Sequence, residues 1–311
     1  MGNAETKERF EKASKTKLLT AHKLELSNWE KLVERMKKLS QLRSANLADN
    51  KLSGPLPHAF LCDSIFSSLK VLDLSGNAIT SVDVFSPLCQ APAKKGSTSG
   101  ADGSCGEFPP FDVIVAGGSS ADAVTYPLET LNLSRNKLKH LPPCFLQRFS
   151  KLKTLQLSDN EISLSEPWAP AVFMHGVSLV TLDLSNNAIS SIPFATPEQC
   201  GVPGSLQKLS LLDLSGNALV VLTLPAGCRL GGLQNIKVNH QKKPGGLETI
   251  DPMVYALCDK LNDIEFEGST KPKKAIVDEL KHSTEYKEWE SKHVAVVNRQ
   301  LSGNADAKLM E

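Results

Sequence analysis

The heptapeptide Leu-Asp-Leu-Ser-Gly-Asn-Ala runs from Leu72 to Ala78 and again from Leu212 to Ala218, and it returns as Leu-Asp-Leu-Ser-Asn-Asn-Ala from Leu182 to Ala188. Recurrence at a regular spacing marks stacked copies of one supersecondary unit, so it governs how every other segment is read. Aligned on the asparagine, the frame L-x-x-L-x-L-x-x-N-x-L fits six segments, which begin at Leu42, Leu69, Leu128, Leu152, Leu179 and Leu209, with Ala45 filling one leucine position. Their asparagines are Asn50, Asn77, Asn136, Asn160, Asn187 and Asn217, giving steps of 27, 59, 24, 27 and 30 residues. Only the 59 departs from the period. Two weaker copies, Leu233 to Gln241 and Leu261 to Ser269, keep the apolar rhythm and lose the asparagine.

This is the leucine-rich-repeat pattern, and it predicts an α/β fold: a curved solenoid with parallel strands on its concave face, a short N-terminal helical segment and a C-terminal helical cap. Each L-x-L is a short strand whose leucines point inward while the residue between them points out. The asparagine amide brings two donors and one acceptor to the turn that follows, where buried backbone groups need partners. The six asparagines are therefore expected to form a structural ladder, and replacing Gln241 is expected to cost less than replacing an asparagine. A single coil cannot bury its own apolar face, so each copy serves as the core of the next.

Residues 1–38 read as a lipidation segment and a degenerate first coil, with a helix capped by Asn3 that buries Phe10, followed by a coil from Leu18 to Leu26. Residues 39–269 form the solenoid, interrupted at about 86–127 by a surface loop whose centre, Ala91 to Pro110, is rich in Gly, Ser, Pro and Ala. Val113 to Ser120 resembles a strand entering a glycine turn, but it lacks the spacing and the lysine of a phosphate loop. Residues 270–311 form a helical cap and tail, with Ile276, Leu280, Tyr286, Trp289, His293 and Val297 on the side that closes the last coil.

The formal net charge of +1 argues against a dedicated nucleic-acid binder. Seven scattered cysteines without a C-x-x-C pair predict a reduced, cytoplasmic chain. No apolar run reaches the roughly 18 to 20 residues of a membrane span, and the first twenty residues lack the apolar centre of a signal peptide. No metalloprotease, hydrolase or kinase motif is present and the seven histidines are dispersed, so no enzyme activity, cofactor or metal is expected.

The functional surface is then the concave face. Its central column reads Asp73, Asn132, Gln156, Asp183, Asp213, Lys237 and Glu265 after Asn46, with Asp159 close by. Asp73, Asp183 and Asp213, together with Asp159 and Glu265, are expected to form an acidic floor for a basic protein segment. Reversing Asp183 and Asp213 is expected to leave stability nearly unchanged while weakening that contact.

Gly2 and Thr6 fit the M-G-x-x-x-[ST] pattern of N-myristoylation. Residues 1–43 carry eleven Lys and Arg against six Glu, a basic excess that would assist weak attachment to a membrane surface. With Met1, Gly2, Asn3, Lys15 and Thr16 at one end, and Ile264 to Gly268 followed by Leu280, Tyr286 and Trp289 at the other, the chain resembles the leucine-rich repeat-containing protein 57 family. That resemblance implies a small, intracellular, lipid-modified, non-enzymatic protein. The expected function is a monomeric protein-interaction scaffold. Alternatives are a regulatory subunit that positions a phosphatase or similar enzyme and a structural component of a cytoskeletal or ciliary assembly.

Overall fold

The computed structural model describes residues 4–88, 124–194, 205–225, 227–242 and 246–292. In chain order its strands are β1 (Leu18–Thr20), β2 (Ser44–Asn46), β3 (Ser53–Pro55), β4 (Val71–Asp73), β5 (Ala78–Ser81), β6 (Thr130–Asn132), β7 (Thr154–Gln156), β8 (Thr181–Asp183), β9 (Leu211–Asp213), β10 (Val221–Leu222), β11 (Asn235–Lys237), β12 (Thr249–Ile250) and β13 (Asp263–Glu265). Its helices are α1 (Ala4–Thr16), α2 (Trp29–Lys37), α3 (Asp63–Phe66), α4 (Met253–Leu257) and α5 (Lys273–Leu280).

One nine-stranded parallel sheet runs β1-β2-β4-β6-β7-β8-β9-β11-β13, and two small parallel pairs, β3 with β5 and β10 with β12, lie on the return paths of the coils. The large sheet keeps one register throughout, so Leu72 pairs with Leu131, Leu131 with Leu155, and Leu155 with Leu182. Its middle column, from Leu19 to Ile264, is at most 4% exposed. A one-residue slip would put the leucines in water and the aspartates in the core, and this is what fixes the register. The stretch from Leu18 supplies a true first coil, because β1 pairs with β2 residue for residue.

After β2, β4, β6, β7, β8, β9 and β11 the chain enters a turn whose buried backbone is satisfied by the ladder. Asn187 Nδ2 donates to the carbonyls of Leu157 and Leu184 at 3.0 and 2.9 Å, while its Oδ1 accepts the N–H of Ile162 at 3.0 Å. Asn77, Asn136, Asn160 and Asn217 repeat this three-way pattern. Asn50 opens the series, and its Oδ1 accepts from both Leu24 and Leu26 N–H. Gln241, expected to mark the loss of the ladder, is instead a rung of it. Its Nε2 reaches Leu214 O at 3.0 Å and its Oε1 accepts the N–H of Leu219 at 2.9 Å. The extra methylene of glutamine spans the same gap between coils.

Just before each rung, and before Ser269 in the coil that follows the last one, the backbone turns left-handed. Asp49, Gly76, Arg135, Asp159, Asn186, Gly216, His240 and Gly268 all have φ between +50° and +76°. The frequency of Gly, Asp and Asn at this position follows, since these residues tolerate that conformation best. At Gly76 and Gly216 a Cβ would also collide with the side chains of Asp49 and Asn186, which lean over from the preceding coil.

Away from the sheet a file of rings extends the leucine core. Trp29, Phe60, Phe66, Phe85 and Phe149 follow one another with centroid separations of 5.6, 5.7, 6.3 and 5.0 Å. The described ends of the expected 86–127 loop belong to this packing. Ser86 Oγ donates to Pro143 O at 2.6 Å, and the buried Tyr126 lies 5.3 Å from Phe66 and donates to Asp63 Oδ1 at 3.2 Å. The rest of that loop, including the glycine turn near Val113 to Ser120, lies outside the described residues. Across its base His140 Nε2 lies 3.2 Å from the carboxylate of the buried Asp83, and this hydrogen bond raises the imidazole pKa against the opposing effect of burial.

Helices close both ends. α1 buries Phe10 and Ala13 beside β1, with the Arg35 guanidinium 5.7 Å over the Phe10 ring. At the other end α5 buries Ile276 and Leu280, and the helical residues 284–292 bring Tyr286 and Trp289 onto Tyr255, with Trp289 Nε1 donating to Leu261 O at 2.7 Å. His293 and Val297 lie outside the described residues.

Removing a rung strands three buried backbone groups, so Asn187→Ala is expected to cost about 1–3 kcal/mol in urea unfolding. Gln241→Ala is expected to cost a similar amount. An unchanged unfolding midpoint for both would contradict the ladder's structural role.

Candidate functional site

The concave face is built from side chains on either side of the buried middle column. One outward column runs Ser44, Val71, Thr130, Thr154, Thr181, Leu211, Asn235 and Asp263. The other runs Asn46, Asp73, Asn132, Gln156, Asp183, Asp213, Lys237 and Glu265, so the structure brings the expected column into one row across adjacent strands. Strands lie roughly 4.8 Å apart, which makes these columns close-set ladders of side chains.

The aspartates of that column do more than face the solvent. Asp73, Asp183 and Asp213 are half-buried, and their Oδ1 atoms accept the backbone N–H two residues on, from Ser75, Ser185 and Ser215, at 3.0, 3.0 and 2.9 Å. The hydroxyls of Ser75 and Ser185 donate to the same carboxylates at 2.6 and 2.7 Å. Asn46 and Asn132 make the same bond with their amide oxygens, to Ala48 and Ser134 N–H. The recurrent Asp or Asn after the strand leucine is thus a turn device that the side chain supplies to its own backbone.

The expected acidic floor is also less continuous than its letters. Glu265 is paired with Lys237 at 3.1 Å. Asp159 sits in the left-handed turn row and accepts from Asn186 Nδ2 at 2.9 Å. In the same row Asp49 pairs with Arg135 at 3.0 Å.

A third row was not anticipated. It lies one residue before each strand of the large sheet, where successive backbone hydrogen bonds link Lys17, Arg43, Lys70, Glu129, Lys153, Val180, Ser210, Gln234 and Asn262. Lys70 and Lys153 converge on the two oxygens of Glu129 at 3.0 and 2.8 Å. Hydrogen bonds from Lys153 and Lys70, together with their charge, hold the Glu129 carboxyl down to about 2. The signal was present in the frame as the residue after its first leucine, which alternates Lys, Glu and Lys in the copies at Leu69, Leu128 and Leu152.

Among the described residues no group of three or more His, Cys, Asp and Glu side chains is placed to hold a metal. No described helix is long and apolar enough to cross a membrane. Gly2 lies outside the described residues.

Family models described as leucine rich repeat match residues 127–189 and 67–86. Lumican from Oryctolagus cuniculus is 30% identical over 168 residues, which cover 50% of this chain and 82% of that protein. The chain belongs to the leucine-rich-repeat family. Lumican from Homo sapiens is 27% identical over 73% of this leucine-rich-repeat chain, and transforming growth factor beta activator LRRC32 from Mus musculus is 28% identical over 69% of it. The chain spans 66% of the length of human lumican and 38% of that of the bovine protein. Among solved structures, the complex of TLR13 with ssRNA13 shares the fold at a TM-score of 0.50, with 22% identity over 81% of this chain and 31% of that one.

These relatives correct two expectations. The narrower resemblance to leucine-rich repeat-containing protein 57 is not supported, because the matches identify the repeat family and not that branch of it. The cytoplasmic location is overturned, since lumican and the transforming growth factor beta activator are extracellular or membrane-receptor proteins. The physical reason lies in the thiols. Cys144, Cys228 and Cys258 are buried in the core, and burial pushes Cys144 up to about 11 and Cys258 up to about 12. A cysteine used as a small apolar core residue reports packing and carries no information about compartment.

The turn role of the aspartates makes a distinction that charge alone does not. Asp183→Asn keeps the acceptor, as Asn132 does, and is expected to stay within about 0.5 kcal/mol of the parent. Asp183→Lys removes it and is expected to cost about 0.5–1.5 kcal/mol in thermal or urea unfolding. Equal stability of the two variants would contradict the turn assignment.

Proposed function

We propose that this leucine-rich-repeat chain is a non-enzymatic protein-interaction scaffold that takes a polypeptide segment across the strands of its concave sheet. The observation that carries this reading is the nine-strand register, which lines up two outward columns of side chains over a backbone whose own hydrogen bonds are already made. Recognition on such a face falls to side chains, and it is rigid before a partner arrives, so little ordering cost is paid on binding. Its half-exposed threonines and the exposed Val71 and Val180 offer apolar contact among polar groups, the mixture usual at protein interfaces.

The relative named as a transforming growth factor beta activator supports a protein partner. Although TLR13 was solved with single-stranded RNA, this chain's formal net charge of +1 supplies little of the counterion-release drive that dominates nucleic-acid binding.

Site-specific photocrosslinking tests the face. A photoreactive residue at Thr154 or Thr181 is expected to give discrete protein adducts in extract of the cells that express the chain. The same residue at Val221 or Met253, exposed away from the large sheet, is expected to give none. Adducts confined to Val221 and Met253 would refute the concave site.

A further inference from the structure

The concave face changes sign along the solenoid, and this deepens the reading just proposed, on which it rests. At the N-terminal end of the sheet the row before the strands carries Arg43, Lys70 and Lys153, and the Glu129 carboxylate is already shared between the two lysines. That row retains a net positive charge; Asp73 in the neighbouring column and Asp159 in the turn row are the anionic exceptions at this end, Asp49 being paired with Arg135. From β8 onward the same row is uncharged, and Asp183, Asp213 and Asp263 stand in the outward columns, where the one cation among the described residues of those columns, Lys237 on the strand beside Asp213, is paired with Glu265. Glu265 is neutralised by Lys237. The hydrogen bonds that tie Asp183 and Asp213 into their turns come from neutral groups and leave both carboxylates charged.

We infer that the segment received by this face is bipolar: a block of acidic residues seats over the Arg43–Lys153 end and a block of basic residues over the Asp183–Asp263 end. A uniformly basic segment, the partner suited to a continuous acidic floor, meets repulsion over half its length, and a uniformly acidic one meets it over the other half. Like-charge juxtaposition of this kind selects between partners more strongly than the matching pairs raise affinity.

The geometry also sets a length. From β2 to β13 the sheet order contains seven strand-to-strand steps. At ~4.8 Å each these span roughly 34 Å, the reach of about ten extended residues at ~3.3 Å apiece. The two charge blocks therefore sit within a segment of that size.

Three labelled synthetic peptides of equal length test this by fluorescence anisotropy against the whole chain: one with about four Glu, a short Gly-Ser spacer and about four Lys, one with Glu in both blocks, and one with Lys in both. The bipolar peptide is expected to bind tightest and to weaken as salt rises. Asp183→Asn combined with Asp213→Asn keeps both turns and is expected to weaken the bipolar peptide by about three- to tenfold. If either uniform peptide binds as tightly as the bipolar one, the inference is overturned while the concave face remains a binding surface. If none of the three binds and no concave position gives a photocrosslink, the inference and the reading beneath it both fail.

Discussion

The structure depends on how it satisfies the backbone just after each strand. There the chain leaves the sheet inside the stack, where an unpaired amide or carbonyl costs about as much as a lost hydrogen bond and no water is at hand. One amide side chain per coil resolves this by donating to carbonyls of its own coil and the one before and accepting an N–H from the return path of the coil before it. That bond exists only while neighbouring coils stay in register, so the ladder and the leucine columns enforce each other. The left-handed residue ahead of each rung aims the amide, and the Asp or Asn three positions before that residue closes the turn from the solvent side.

Much of this was written openly in the letters. The frame's two inward leucines, its outward position and its asparagine each map onto one structural role, and Leu18 to Leu26 was recognisable as a first coil despite lacking the asparagine. Gln241 was misjudged because the frame was taken as a letter, when the physical need is an amide at a given reach. The turn role of the aspartates was not legible because Asp in Leu-Asp-Leu-Ser satisfies two demands at once, solvent exposure and an acceptor for the residue two ahead. The file of Phe60, Phe66, Phe85 and Phe149 gave no period to detect, since its members sit on return segments of unequal length. The pairing of His140 with Asp83 joins residues 57 apart across the long insertion, beyond any local pattern.

Function follows from what the stacking leaves free. With the backbone spent on the solenoid and the leucines spent on the core, the outward columns and the row before them are what the concave face presents to a partner. Those positions hold the charge separation along the face. Where Asp and Asn both serve the turn, the choice between them sets local charge at little structural cost: Asn46 and Asn132 stand toward the basic end, Asp183 and Asp213 toward the acidic end. Selection on binding can therefore act through a residue whose structural duty is unchanged.

The central claim is that side-chain amides hold the buried turns, and hydrogen exchange on the backbone reads this residue by residue. In the parent chain the amides of Ile79, Leu138, Ile162, Ile189 and Leu219, which donate to the ladder side chains, should exchange only through the opening of whole stacked coils. In Asn187→Ala the amide of Ile162 should lose protection ahead of the others. Rapid exchange of these five amides in the parent, at the rate of exposed loop amides, would contradict the account.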